Sequence, residues 1–86
     1  MKSITYTISD PNGIHARPAG VMVRCARQFA SGITVEKDGK RADCKKLFAL
    51  MQLGVRGMDM ITISAEGTDE DEAAETLYRT MRDMGL

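Results

Sequence analysis

In Ser3–Ser9, Ile4, Tyr6 and Ile8 alternate with polar residues. That is the period of a strand with one buried face. Asp10-Pro11-Asn12-Gly13 reads as a turn. From Ala16 the apolar spacing changes to three and four through Ala19, Met22, Val23, Ala26, Phe29 and Ala30, one face of an amphipathic helix. Gly32 either ends that helix or starts the next strand. Ile33 and Val35 alternate again, Asp38-Gly39 tolerates positive φ, and a short polar return over Lys40 to Ala42 suits a sheet edge. Between Asp43 and Val55, Leu47, Leu50, Met51 and Phe48 predict a short helix, with Asp43 as a candidate cap and Gly54 as its stop. Ile61, Ile63 and Ala65 alternate in a fourth strand. The last segment is the clearest helix: Ala74, Leu77, Tyr78 and Met81 are expected to form its buried stripe. There Thr68 is the expected cap with Asp71 at the reciprocal position, acids load the first turn, Arg79 and Arg82 the last, and Gly85 follows.

The predicted order is β-α-β-β-α-β-α, an α+β domain whose small sheet is covered by helices on one side. At 86 residues there is room for one domain, residues 1–86, without linkers or repeats. No apolar run approaches a membrane span, which argues against direct insertion. The start of the chain lacks the pattern of a signal peptide, so a cytoplasmic location is expected. Cys25 and Cys44 have no metal-ligand spacing and are expected as free, half-buried thiols. No metal or cofactor is expected.

The formal net charge is zero, yet ten of the twelve Lys and Arg residues lie between Lys2 and Arg56, while eight of the twelve acids follow Gly57. A basic first part suits acidic partners or a phosphoryl group. The acidic remainder and the lack of aromatics among the basic residues disfavour nucleic acid.

The chemistry concentrates in Asn12–Gly20, NGIHARPAG, which holds the only histidine, His15. Gly13 permits an unusual backbone angle before it. Pro18 fits the first turn of a helix, where its missing N–H costs nothing. His15 therefore stands at a helix entrance, where the N–H groups of Ala16 and Arg17 and the positive dipole end favour an anion. Arg17 adds a bidentate donor suited to phosphate. A neutral imidazole there is a nucleophile whose ring nitrogen can attack phosphorus. No second histidine, nucleotide-binding glycine loop or carboxylate cage accompanies it, so the phosphoryl group would come from one protein and leave to another.

GIHARPA, together with LGV near residue 54 and ITISAEGTDE, resembles the HPr family, the histidine-containing phosphocarriers of the bacterial phosphoenolpyruvate-dependent sugar phosphotransferase system. The resemblance spans nearly the whole chain. It implies an open-faced β-sandwich, a four-stranded antiparallel sheet with three helices on one face. It also implies that His15 takes a phosphoryl group on Nδ1 from enzyme I and passes it to the IIA units of sugar permeases. Arg17 matches the phosphate-stabilising arginine and Pro18 the helix-start proline. The implied partner surface carries Gly20, Arg24, Arg27, Lys45, Leu47, Phe48 and Met51, a basic rim around an apolar centre. A protein of this kind is a carrier rather than an enzyme, and a monomer is expected. One departure stands out. Many Gram-positive members carry a regulatory serine where this chain has Lys46, which accepts no phosphoryl ester. The alternative is a regulatory binding module, or a specialised paralogue such as one from a nitrogen-related branch, that acts by docking.

Overall fold

Seven elements follow one another in the computed structural model, which describes residues 1–86: β1 (Lys2–Thr7), α1 (Ala16–Ala26), β2 (Gly32–Lys37), β3 (Lys40–Asp43), α2 (Leu47–Gln52), β4 (Met60–Glu66) and α3 (Glu70–Asp83). The strands form one antiparallel sheet in the order β1-β4-β2-β3. Register explains the two unlike faces. Ile4 opposes Ile63, Ile63 opposes Val35 and Val35 opposes Ala42, so one apolar row crosses all four strands. The neighbouring row, Ser3, Ser64, Thr34 and Asp43, faces away from the helices. Helix α3 lies against β1 and β4, α1 against α3, and α2 bridges α1 and β3. The expected open-faced sandwich is thus the fold observed.

The hairpin and β4 follow the alternation directly. Asp38 and Gly39 both have positive φ, 52° and 81°, as a two-residue hairpin turn requires. Five expectations change.

Helix α1 ends at Ala26, so Phe29 and Ala30 are not on it, and Gly32 begins β2. The chain after α1 is tethered from outside. Lys45 Nζ donates to the Phe29 carbonyl at 2.8 Å, and the N–H groups of Ala30 and Ser31 donate to the Asp69 carboxylate, both at 2.9 Å. Those bonds replace a further helical turn.

Thr68 does not cap α3. Asp69 is the N-cap residue, and its carboxylate serves Ala30 and Ser31 rather than its own helix. Asp43 does not cap α2 either. It opens the preceding turn, where its Oδ1 accepts the Lys45 N–H at 2.9 Å, and Lys46 becomes the N-cap residue. On α3, Ala73 joins Ala74, Leu77 and Met81 in the core, whereas Tyr78 is half-buried, edge-on to Tyr6 at 5.7 Å.

The thiols are buried rather than half-buried. Burial above all pushes the Cys44 thiol up to about 12, which leaves it neutral and unreactive near neutral pH.

Candidate phosphoryl site

The path from β1 into α1 is fixed by backbone bonds on both sides. The N–H groups of Ser9 and Asp10 donate to the Leu86 carbonyl at 2.7 and 3.1 Å. Asp10 then opens a turn. Its carbonyl accepts the Gly13 N–H at 2.9 Å, and its Oδ1 accepts the Asn12 N–H at 2.9 Å. Aspartate suits that first position because one side chain can close the turn that the backbone makes. Gly13 leaves it with φ +64°, and a Cβ there would fall 2.1 Å from the Val55 carbonyl oxygen. No other residue fits both the angle and the approach. Ile14, buried, donates its N–H to Val55 at 3.1 Å.

This route delivers His15 to the N-cap of α1 with extended backbone, φ −93° and ψ −174°, its carbonyl accepting the Ala19 N–H at 3.0 Å. Its side chain makes no cap bond. The ring is 42% exposed and turns back toward the turn, with Nε2 3.3 Å from Asp10 Oδ2. The Asn12 N–H first, and His15 after it, hold the Asp10 carboxyl below its ordinary 3.8, so it is ionised near neutral pH. The first N–H groups of α1, those of Ala16 and Arg17, receive no cap and remain donors for an anion. Pro18, buried in the first turn, has no N–H to leave unpaired.

His15, Arg17 and Pro18 line one shallow depression of about 320 Å³. The structure adds Asp10, Asn12 and Val21, and Met84 and Leu86 beyond the end of α3. None of these five was read as part of the site from the sequence. Asp10 carried the only usable signal, an acid five residues before the histidine across a glycine turn. Met84 and Leu86 arrive from the far end of the chain. No group of three His, Cys, Asp or Glu residues gathers as metal ligands.

The expected partner residues divide by environment. Arg24 and Arg27 are exposed and Gly20 is half-buried on α1. Arg27 Nε donates to the Lys45 carbonyl at 3.0 Å, so Arg27 and Lys45 also tie α1 to the start of α2. Leu47 packs partly on the core, Phe48 is 77% exposed, and Met51 is exposed at its margin. Lys46 is exposed.

Sheet, helices and site together define a class: a small α+β protein that displays one histidine at a helix N-terminus, with anion donors around it. A family model described as the phosphotransferase system HPr component phosphorylation site matches residues 2–83. The chain belongs to the HPr family of phosphocarriers of the phosphotransferase system. It is 42% identical to the phosphocarrier protein HPr of Lysinibacillus sphaericus over 86 residues, all of this chain and 98% of that one. The HPr of Thermoanaerobacter tengcongensis superposes with a TM-score of 0.92 at 41% identity, over 96% of this chain and 93% of the other, and has also been seen as a dimer. The histidine-containing phosphocarrier protein of Mycoplasma reaches 0.97 at 34% identity, over 99% and 97% of the two chains. As a member of this family the chain is a phosphocarrier rather than an enzyme. No helix is long and apolar enough to cross a membrane.

Proposed function

We propose that His15 is the carrier residue, that its Nδ1 accepts the phosphoryl group from phospho-enzyme I, and that sugar-specific IIA units receive it. One observation carries this reading: the exposed ring stands at the N-cap of α1 beside the uncapped N–H groups of Ala16 and Arg17, in a depression that Arg17 also lines. Backbone donors, helix dipole and guanidinium all favour the charge that phosphorylation brings. Phosphohistidine there is stabilised without being enclosed, so a second protein can reach it. Partner proteins dock over α1 and α2, where α2 exposes Phe48 and Met51 and α1 exposes Arg24 and Arg27. Large exposed apolar side chains inside a basic rim suit a transient interface. The carrier works as a cytoplasmic monomer without a cofactor.

The test is phosphotransfer. Mixed with phosphoenolpyruvate and enzyme I, the protein gains one acid-labile phosphoryl group, and His15→Ala gains none. Label on the His15→Ala protein would overturn the assignment.

Lys46 separates this reading from that of a module switched by serine phosphorylation. A lysine at the start of α2 offers no hydroxyl, and it holds a fixed positive charge where a phosphoserine would bring a negative one. Regulation by an HPr kinase at this position is therefore not expected.

A further inference from the structure

Asp10 is held more firmly than an ordinary surface acid. Its N–H is bonded to Leu86, its carbonyl to Gly13 and its Oδ1 to the Asn12 N–H. Only Oδ2 is left, and it faces His15 Nε2 at 3.3 Å. Among the residues that line the depression, Asp10 supplies the only side-chain carboxylate and Arg17 the only guanidinium. A carboxylate accepts and cannot donate, so the nitrogen that faces it is the one that carries hydrogen. We infer that Asp10 is a positioning residue for the transfer: it keeps the imidazole proton on Nε2 and leaves the Nδ1 lone pair free to attack phosphorus. This rests on the reading of His15 as the carrier.

The electron count explains a further feature of the site. As Nδ1 forms its bond to phosphorus, the donor's bond to phosphorus breaks and that electron pair stays with the donor. Nε2 keeps its proton, and the positive charge gained by the ring faces the Asp10 carboxylate. In onward transfer the Nδ1–phosphorus bond breaks, its pair returns to the ring, and the imidazole is neutral again. No proton is released or taken up in either step. A site arranged in this way needs no general base, and the chain contains no second histidine to act as one. Hydrogen-bond partners that fix the tautomer and tilt of a working histidine act on it in this manner.

Two substitutions separate positioning from mere support of the turn. Asp10→Ala removes the partner of Nε2 and the bond to Asn12 together. Asp10→Asn keeps an oxygen for the Asn12 N–H, so the turn survives and the carboxamide NH2 is presented to Nε2. Nε2 must then accept, and the proton moves to Nδ1, the nitrogen that should attack. If Asp10 only held the turn, the Asn variant would be the milder of the two. For a positioning residue the order reverses. The expected rates of phosphoryl uptake from phospho-enzyme I are about tenfold lower for Asp10→Ala and about a hundredfold lower for Asp10→Asn. Nitrogen-15 spectra of the His15 ring in the unphosphorylated proteins should show the proton on Nε2 in the parent, shared in Asp10→Ala and mainly on Nδ1 in Asp10→Asn. Identical ring spectra in all three proteins, or faster uptake by the Asn variant than by the Ala variant, would overturn the inference. A parent protein that takes no label would instead bring down the carrier reading, and the ring spectra would still decide whether Asp10 sets the tautomer.

Discussion

The chain enters α1 and α2 through the same kind of turn. Asp10 and Asp43 each occupy its first position. Each accepts a backbone N–H two residues on at 2.9 Å through Oδ1, from Asn12 and Lys45. Each closes the turn through its carbonyl, to Gly13 at 2.9 Å and to Lys46 at 3.0 Å. Each helix then begins with an extended N-cap residue whose side chain makes no cap bond, His15 or Lys46. The difference is two residues. At α2 the last residue of the turn is itself the N-cap. At α1 the turn ends instead on the left-handed Gly13, buried Ile14 follows, and the N-cap two residues beyond the turn brings its side chain back over the aspartate that opened it. A common turn thus becomes a histidine–carboxylate pair by adding a reversal. Anchorage differs too. Helix α1 runs eleven residues with six of them buried, while α2 runs six and buries Leu50 alone.

The sharpest way to break the first entrance is Gly13→Ala. It forces φ +64° on a side chain and drives Cβ into the Val55 carbonyl. Left-handed strain and overpacking together should cost about 3–4 kcal/mol, a large part of the stability of so small a domain. Gly54→Ala, at φ +69° after α2 with no atom within 4 Å of its Cβ, should cost only about 1 kcal/mol. Urea midpoints measure both, and equal shifts would mean that the reversal at Gly13 is no tighter than an ordinary helix end. Leu50→Ala should come next, with a loss of about 3 kcal/mol from a fully buried site. Because no other α2 side chain is fully buried, hydrogen exchange in α2 should rise in that variant while α1 stays protected.

The contrast between the entrances also shows what could be read in advance. Alternation located β4 and the hairpin because each of their residues answers to one local rule, in or out. Residues with a strong local signal at the site, Gly13, His15, Arg17 and Pro18, were equally legible. Features set by contacts distant in sequence were not. Asp43 and Thr68 are reasonable caps by local pattern, yet the first spends its carboxylate on a turn, and the cap position falls to Asp69, which bonds a loop 38 residues away. The end of α1 at Ala26 has no stop signal in Arg27–Ala30, because the bonds that end it come from Lys45 and Asp69. In the sequence Asp10 is indistinguishable from any turn-opening aspartate, since its second oxygen gains meaning only once Gly13 has reversed the chain.

Lys46→Ser tests whether the second entrance is open for capping. A lysine at the N-cap sits at the positive end of the dipole and supplies no acceptor. Serine can accept from the first-turn N–H groups, so stability should rise by about 1 kcal/mol. No change would show that those N–H groups are out of reach of the N-cap side chain. The same variant places a hydroxyl where the family resemblance puts the regulatory serine of many Gram-positive members, so incubation with an HPr kinase asks whether one substitution creates that substrate. Uptake at His15 should persist, because the α1 entrance is untouched.

The smallest effect concerns Gly20, in the third position after Arg17 on α1. Interior glycine costs a helix up to about 1 kcal/mol relative to alanine, so a reason for it is wanted. Nothing inside the protein supplies one. A Cβ at Gly20 would meet only the flexible end of Arg24, Nη1 at 3.6 Å, which is ordinary contact, and φ is not in the left-handed region. Gly20→Ala should therefore stabilise the chain by about 0.5–1 kcal/mol, read from the urea midpoint. If the space above Gly20 is kept for a docking protein, the stabilised variant should also receive and pass phosphoryl groups more slowly, although His15, Arg17 and Asp10 are unchanged. A stabilised variant with parental transfer rates would remove Gly20 from the partner surface and leave α1 to act through Arg24 and Arg27 alone.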